Sequence, residues 1–353
     1  MRTPMADHRE AVVYGVFKAM GDLLSAVAVI RKQLDLGYRV HLLIFPRAAL
    51  KDFISLLDLG PNNDLLSLHD VPAGGRLFSF LKEMSRLRPK GVWISPHAPI
   101  AAASRKIPIG LRLVRDLFWR GTSIGGADSE PHHWLFDVAV PVDRKLPLGE
   151  REWGAFRMWR PAGMGETREL PQFLPEIMGL RNEPYLYDLL IHPGASTWSR
   201  MWSVDHYVEM VKLLPRDRRI GMLGLPHEIV EFRDKMPEDW QVEFLSGSLK
   251  NALMTIARAR VMLCMDSGIV HVAKVLQVPT AAIFGKTDPV SVIGPEDDVI
   301  TPIYERKFDC QPCGQRGCSQ PELYCMNVVT PATVANVLTT LLQQTDRQLL
   351  VQL

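Results

Sequence analysis

The chain has 353 residues, of which 47% are hydrophobic and 23% are charged, which is typical of soluble globular proteins. The 41 Lys and Arg exceed the 39 Asp and Glu by only two, so the strong basic excess of a nucleic-acid-binding protein is absent. No apolar run approaches the roughly 20 residues of a transmembrane helix. The first residues lack the pattern of a signal peptide. The sequence therefore predicts a cytoplasmic protein whose contact with a membrane would be peripheral.

The first half of the chain alternates short β-branched segments with longer amphipathic segments, the pattern of an α/β fold. The pattern predicts strands at 11–17, 40–45, 91–95 and 136–140 and helices at 22–36 and 48–58. We interpret residues 1–165 as an N-terminal Rossmann-like domain. The segment 166–184 is rich in Pro and Gly and is expected to be an interdomain linker.

The second half repeats the alternation more regularly. It predicts strands at 187–192, 219–223, 242–245, 261–265 and 280–284 and helices at 204–214, 228–235, 249–257, 269–276 and 332–343. We interpret residues 185–335 as a C-terminal Rossmann-like domain, followed by a C-terminal helix or tail at 336–353. The predicted fold is thus two doubly wound α/β domains that face a central cleft, where ligands of such folds bind.

The most informative motif is Asp266-Ser267-Gly268, which lies between a predicted strand and a predicted helix. The free N–H groups at the start of that helix would attract an anion such as a phosphate. Gly268 allows the backbone to approach the anion closely, and His271 follows one turn later. The alternative is an ordinary capped helix start. The loop with Lys286 and Thr287, after the next strand, favours the anion site because it should reach the same sheet edge.

A second motif, His-Pro-Gly-Ala-Ser-Thr-Trp-Ser-Arg at 192–200, also follows a strand. Ser196, Thr197 and Arg200 carry the hydroxyl and guanidinium groups that bind phosphate oxygens. Trp202 is expected to pack beneath the loop. Glu228 follows a further strand, where a carboxylate could bind ribose hydroxyls, or could be an exposed acid at a helix start.

Together these motifs resemble glycosyltransferase family nine, the ADP-heptose:lipopolysaccharide heptosyltransferases. The resemblance also includes Phe-Gly-x-Thr-Asp-Pro at 284–289, the cysteines with the following methionine at 310–326, and Met-Gly-Asp-Leu-Leu at 20–24. It covers most of residues 10–340 and is closer in the second half. It implies a GT-B fold, in which the N-terminal domain at 1–165 binds the acceptor and the C-terminal domain at 185–335 binds the nucleotide-sugar donor. It also implies an inverting transfer of heptose from ADP-heptose to a lipopolysaccharide core, with no metal required for catalysis.

The resemblance also implies residue roles. The general base falls on Asp22, in the glycine-containing turn after the first strand, and the basic residue that binds phosphate falls on Arg200. The ribose-binding acid falls on Glu228. The other donor contacts fall on Asp266, Ser267, Gly268, Ile269 and His271. A carboxylate at position 22 suits the chemistry, because inverting transfer needs a base for the acceptor hydroxyl. A simple helix cap is the alternative for Asp22.

Ten basic residues and only two acidic ones lie between Arg76 and Arg120. This excess suits an acceptor with phosphates or acidic sugars at an anionic membrane surface, and we assign Arg105, Lys106 and Arg112 to acceptor binding. An ordinary solvated helix face is the alternative. The prediction places the protein on the cytoplasmic side of an inner membrane, with no nucleic-acid partner.

Four cysteines, Cys310, Cys313, Cys318 and Cys325, lie within sixteen residues. In a reducing cytosol, such a group more often indicates a metal than a disulfide, and a structural zinc or iron is expected here. The spacing is not that of a standard zinc module, so free thiols or a disulfide remain alternatives. Two other functions also stay open: the same fold with another nucleotide sugar, and a non-catalytic protein that binds nucleotide sugars or takes part in assembly.

Overall fold

The computed structural model describes residues 9–17, 20–44, 48–70, 92–95, 123–127, 138–141, 170–237, 240–313, 318 and 324–352. The chain divides into two compact units, Met1–Pro171 and Gln172–Leu353. Within the described ranges, every helix is too short or too polar to span a lipid bilayer.

The N-terminal unit contains a parallel six-stranded sheet in the order β3-β2-β1-β4-β5-β6. Its strands are β1 Arg9–Phe17, β2 Tyr38–Ile44, β3 Leu66–Asp70, β4 Val92–Ser95, β5 Ser123–Ala127 and β6 Val138–Pro141. The described helices are α1 Met20–Asp35 and α2 Ala48–Ser55. This order is that of a Rossmann sheet, with the switch in strand order between β1 and β4.

Helix α1 begins at Met20, two residues earlier than the sequence predicts. Asp22 therefore lies in the first turn of the helix, and its expected position in a turn before the helix is wrong. Leu23, Val27 and Leu34 are fully buried along one side of α1, and their 3.6-residue periodicity fixes the face that packs inward. At the border of this face, Arg31 Nη1 donates to Asp58 Oδ2 at 3.0 Å.

The C-terminal unit contains a second parallel six-stranded sheet, in the order β12-β11-β10-β7-β8-β9. Its strands are β7 Tyr187–His192, β8 Ile220–Leu223, β9 Val242–Leu245, β10 Ala259–Met265, β11 Thr280–Phe284 and β12 Ile300–Tyr304. When the strands are counted from β7, the order is the same as in the first sheet. The switch in strand order here lies between β7 and β10.

The helices described in this unit surround its sheet. They are α3 Pro175–Met178, α4 Val204–Lys212, α5 Pro226–Lys235, α6 Leu249–Ala257, α7 Gly268–Val275, α8 Val290–Ile293, α9 Tyr324–Asn327 and α10 Pro331–Gln352. Every residue of β10 and β11 is buried, because helices cover both faces of a parallel sheet. The last helix continues to Gln352 and does not end near 343 as predicted.

Arg260 on β10 attaches the last helix, α10, to the sheet. Its side chain is almost fully buried and donates through Nε to Thr345 Oγ1 at 2.8 Å and through Nη2 to Leu342 O at 2.6 Å. It also pairs with Asp346 on α10 and with Asp188 Oδ1 at 3.5 Å. A buried guanidinium is stable here because several acceptors and two carboxylates surround it.

Candidate functional site

The site is built first on the junction between β10 and α7. Strand β10 ends at Met265, and α7 begins at Gly268 with Ser267 as its N-cap. The Ser267 hydroxyl accepts a hydrogen bond from the backbone N–H of Ile269 at 3.4 Å. The Ile269 side chain is only 7% exposed and packs inward, so its contribution to a site comes from its backbone. The helix start predicted from Asp266-Ser267-Gly268 is confirmed, and its dipole favours an anion there.

The loop after β7 reaches the same edge of the sheet, because β7 and β10 are parallel neighbours with Cys264 opposite His192. Residues Trp198–Arg200 form one 3-10 turn. Beneath it, Trp202 is 3% exposed, and its indole Nε1 donates to Val329 O at 3.0 Å. The indole packs edge-to-face on Tyr207 at 4.9 Å between ring centroids. The expectation that Trp202 packs beneath the loop is therefore confirmed.

The two loops meet through Arg200 and Asp266. Arg200 Nε lies 3.4 Å from Asp266 Oδ2, and Arg200 Nη1 donates to the Asp266 backbone oxygen at 3.5 Å. The Asp266 carboxylate is only 7% exposed, whereas the Arg200 side chain is 30% exposed. Asp266 therefore holds the Arg200 guanidinium beside the start of α7, while part of the Arg200 side chain remains exposed to solvent. This pair places a cation beside the N-terminus of a helix, where both attract the same anion.

Glu228 approaches the β7 loop from the other side. Its Oε2 accepts a hydrogen bond from Leu225 N at 2.8 Å and so caps α5. Its Oε1 lies close to Gly194, where an added Cβ would come within 2.8 Å of this oxygen. Burial lowers the pKa of the His192 imidazole, against the opposing effect of the Glu228 carboxylate. One carboxylate oxygen of Glu228 thus caps a helix, and the other lies close to the β7 loop. The ribose-binding role of Glu228 stays a prediction.

The loop after β11 lies at the same edge of the sheet, because β11 pairs in parallel with β10. Lys286 is 9% exposed and has partners in the structure. Asp288 Oδ1 accepts a hydrogen bond from Val290 N at 3.0 Å and so caps α8. Lys286 and Thr287, which the sequence places at this edge, therefore lie between the end of β11 and the start of α8.

Gln311 is a buried polar residue that the sequence analysis did not identify. It is 2% exposed, and its side-chain Nε2 donates to Gly285 O at 2.7 Å and to Glu305 O at 3.1 Å. Its Oε1 accepts from Lys307 N at 3.0 Å and from Phe308 N at 3.1 Å. A glutamine in a loop rich in Cys and Pro carries no sequence signal for burial, so this contact emerges only from the structure.

The four clustered cysteines lie in one locality beside this loop. Burial raises the pKa of the Cys325 thiol, and Cys318, Cys310 and Cys313 lie near enough to raise it further. All four are free thiols. Among the residues that the structure describes, no three His, Cys, Asp or Glu side chains are grouped so that they could hold a metal ion. As they stand, the thiols do not form a metal centre.

The other predicted site residues are distributed as follows. Ser196 is exposed on the β7 loop, and Thr197 Oγ1 lies 3.3 Å from Ser199 Oγ. His271 is half-buried in α7. Asp22 lies in the N-terminal unit, in the first turn of α1 after β1. The predicted acceptor residues Arg105, Lys106 and Arg112 lie outside the described residues.

Comparison with known proteins adds a family match. The model of glycosyltransferase family 9 (heptosyltransferase) matches residues 174–324, a range that contains all six strands of the C-terminal sheet. A search of curated proteins finds no match to the sequence.

Several solved structures are similar over almost the whole chain. The E. coli ADP-heptose LPS heptosyltransferase II is 18% identical, with a TM-score of 0.64 over 96% of this chain and 99% of that one. The E. coli heptosyltransferase WaaC, solved with ADP-2-deoxy-2-fluoro heptose, is 15% identical, with a TM-score of 0.63 over 94% and 99%. The iron-containing dodecameric glycosyltransferase TibC of enterotoxigenic E. coli is 14% identical, with a TM-score of 0.55 over 97% and 77%. At these identities the likeness shows the fold.

Two parallel α/β sheets with this strand order, together with the family match, define a glycosyltransferase with a GT-B fold. The predicted fold class is thus confirmed. The match to the model of glycosyltransferase family 9 covers residues 174–324, so this part of the chain is similar to that family.

Proposed function

We propose that the chain transfers a heptose from ADP-heptose to a lipopolysaccharide core, either lipid A–Kdo or a heptosyl acceptor, with inversion at the anomeric carbon. The observation that carries the proposal is the contact between Arg200 and Asp266 at the start of α7. This arrangement suits a diphosphate, because it combines a guanidinium fork with free helix N–H groups. The proposal is also supported by WaaC and TibC, which have been solved with ADP-heptose compounds.

In this proposal, the donor lies along the carboxyl edge of the C-terminal sheet. The diphosphate contacts Arg200, the hydroxyls of Ser196 and Thr197, and the first backbone N–H groups of α7. Glu228 binds the ribose through Oε1, because Oε2 already accepts the hydrogen bond from Leu225 N. His271 lies one turn into α7 and completes the set of donor contacts.

The proposed transfer is a single displacement. The acceptor hydroxyl oxygen forms a bond to the anomeric carbon, and the bond from that carbon to the β-phosphate oxygen breaks and releases ADP. The leaving diphosphate gains negative charge, which Arg200 and the α7 amides stabilise. Asp22 accepts the proton of the acceptor hydroxyl. No step in this scheme requires a metal ion.

A variant that blocks the base but leaves the donor site intact tests the role of Asp22. Asp22→Asn should abolish transfer and leave the affinity for ADP within about twofold of wild type, since an amide of the same shape cannot accept the proton. The assay measures ADP release in the presence of acceptor, with calorimetric titration of ADP as the binding control. Transfer that survives within about tenfold would remove Asp22 as the base.

The acceptor proposal depends on the basic segment of the N-terminal unit. We propose that Arg105, Lys106 and Arg112 bind the phosphates or acidic sugars of the acceptor on the cytoplasmic side of an anionic inner membrane. Reversal of these three charges should lower both transfer and binding to anionic vesicles. If activity and vesicle binding stay unchanged, the acceptor assignment is wrong.

The identity of the nucleotide is tested by titration with ADP, UDP and GDP. Tight binding of ADP alone supports an ADP-sugar donor. A preference for UDP or GDP would leave the glycosyltransferase assignment in place and indicate that the transferred sugar is not heptose. Nucleotide binding without transfer to any lipid acceptor would favour a binding or assembly role.

We also propose a structural zinc or iron at Cys310, Cys313, Cys318 and Cys325. The support is their spacing in the sequence and their shared locality, although the thiols as described do not form a site. TibC is described as iron-containing, but its 14% identity carries no ligand assignment to this chain. Metal analysis of protein purified without chelator tests the proposal, and less than about 0.2 equivalents of zinc or iron would refute site-specific binding.

A further inference from the structure

Three residues contact the loop Gly285, Lys286 and Thr287, which we call the β11 loop. They are Gln311, Cys313 and Met326. The Gln311 side chain donates to Gly285 O at 2.7 Å, and the Cys313 backbone N–H donates to Lys286 O at 2.7 Å. A Cβ added at Gly285 would clash with Met326 Sδ. Two consecutive carbonyls of the loop are therefore bonded, and the loop backbone packs directly on α9.

Gln311 is the centre of this arrangement because its amide uses its full hydrogen-bonding capacity. A glutamine amide has two donor hydrogens and an oxygen with two lone pairs. Here the two donated bonds go to Gly285 and Glu305, and the two accepted bonds come from Lys307 and Phe308. The side chain is 2% exposed, so water cannot replace any of these bonds at low cost.

The position of the β11 loop matters for the donor site. Strand β11 is paired with β10 in parallel, and Asp266 N donates to Ile283 O at 3.0 Å. The loop therefore follows directly beside the β10–α7 junction that carries Asp266. Lys286 is 9% exposed, so the direction of its side chain is set by the backbone that carries it.

We propose that Gln311 is a positioning residue that holds the β11 loop, and with it Lys286 and Thr287, in the geometry that binds the donor. Gln311 acts through the Gly285 carbonyl and does not itself touch the nucleotide sugar. The proposal rests on the proposed function, since the β11 loop belongs to the donor site only if the chain binds a nucleotide there. It extends that function by giving a residue between the first two clustered cysteines, Cys310 and Cys313, a defined part in donor recognition.

The test compares three variants of the full chain by calorimetric titration of ADP. Gln311→Met keeps the approximate size of the side chain and removes all four hydrogen bonds. Gln311→Glu keeps the two accepted bonds and removes both donated bonds, to Gly285 and to Glu305. Gln343→Met makes the same change at an exposed position of α10 and serves as the control. We expect both Gln311 variants to weaken ADP binding by about tenfold or more, since misplacement of a binding group has effects of this size, and the control to bind as wild type does.

Two further measurements separate positioning from general instability. Arg260→Met destabilises the same unit through α10 without touching the β11 loop, and it should retain ADP binding below its melting temperature. Hydrogen exchange should show lost protection at 285–288 in the Gln311 variants and unchanged protection in β10. In the transfer assay, KM for the donor should rise while KM for the acceptor stays constant. A purely structural role would move both KM values together.

The outcomes distinguish this proposal from the proposed function. If wild type binds none of ADP, UDP and GDP, the assignment of the donor site is wrong. Hydrogen exchange would still report whether Gln311 holds the β11 loop. If wild type binds ADP and the folded Gln311 variants bind it within about twofold, the positioning role is refuted. If Gln311→Met does not fold, the comparison of Gln311→Glu with wild type decides by the same criterion.

Discussion

The most direct test of the donor site is the removal of Arg200. In Arg200→Ala, the phosphate loses a charge-assisted hydrogen bond, a contact that contributes about 1.5–3 kcal/mol. The Asp266 carboxylate also stays 7% exposed without its cation, and it then repels the diphosphate instead of aligning a guanidinium. The two effects together amount to about 2–4 kcal/mol, which corresponds to about a 30- to 1,000-fold weaker affinity for ADP.

Matched variants make this experiment specific. Arg200→Lys keeps the charge but loses the fork, and we expect it to weaken ADP binding by about tenfold. In Arg200→Ala combined with Asp266→Asn, the orphaned carboxylate is gone, so the combined loss should be smaller than the sum of the single losses. Arg233→Ala removes a cation from the last turn of α5, about 10 Å along the helix from its first residue, and should leave binding unchanged.

Calorimetric titration of ADP at low and physiological salt provides the measurement, with melting curves to confirm that each variant is folded. The expected result is a large loss for Arg200→Ala, an intermediate loss for Arg200→Lys and none for Arg233→Ala. If folded Arg200→Ala binds ADP within about threefold of wild type, the anion site at α7 is not the donor site, because one charge-assisted bond alone exceeds that difference.

Three further predictions concern other parts of the chain. Gly194→Ala places a Cβ 2.8 Å from Glu228 Oε1, and the flexible carboxylate should move aside. We expect calorimetry to show that ADP binds about three- to tenfold more weakly, with little change in melting temperature. Arg260→Met removes the buried contacts to α10 and should lower the free energy of unfolding in urea by about 2–4 kcal/mol; an unchanged value would refute the anchoring role. Burial and the neighbouring His69 lower the pKa of His41 from 6.5 to about 4. Between these pH values the unfolded chain binds a proton that the folded chain does not, so stability should fall as the pH drops from 6.5 to 4, by about 1–2 kcal/mol after solvent screening. His41→Gln should flatten this dependence in urea unfolding at pH 7.5 and pH 5, and an equal dependence in the variant would assign it to other groups.

The centre of the C-terminal sheet could be predicted from the sequence because its signals agree. Strand β10 is apolar except for Arg260, with every residue buried, and a serine cap and a glycine begin the helix that follows. Local capping preference and burial therefore indicate the same strand-to-helix junction. The contact of Arg200 with Asp266, just before α7, follows from parallel neighbouring strands whose carboxyl ends share one edge.

The edges of the sheets could not be predicted in the same way. Strand β12 buries only Ile300 and Ile303 and contains the exposed Pro302. A central strand would exclude a proline, but an edge strand tolerates it. Strand β3 has no buried residue, so hydrophobicity gave no signal. Gln311 escaped detection for a related reason, because its burial depends on four backbone partners in a loop and not on any periodic pattern.

The strand order of the C-terminal sheet has a consequence for how the protein is made. Strand β7 emerges from the ribosome first in this unit, yet one of its two neighbours, β10, follows only after β8 and β9. Until β10 is synthesised, one side of β7 presents unpaired N–H and C=O groups along a largely buried apolar strand, a form prone to wrong pairing. We expect a nascent chain that ends before Ala259 to need chaperone protection and to aggregate when released, whereas one that includes β10 and β11 can close its central sheet.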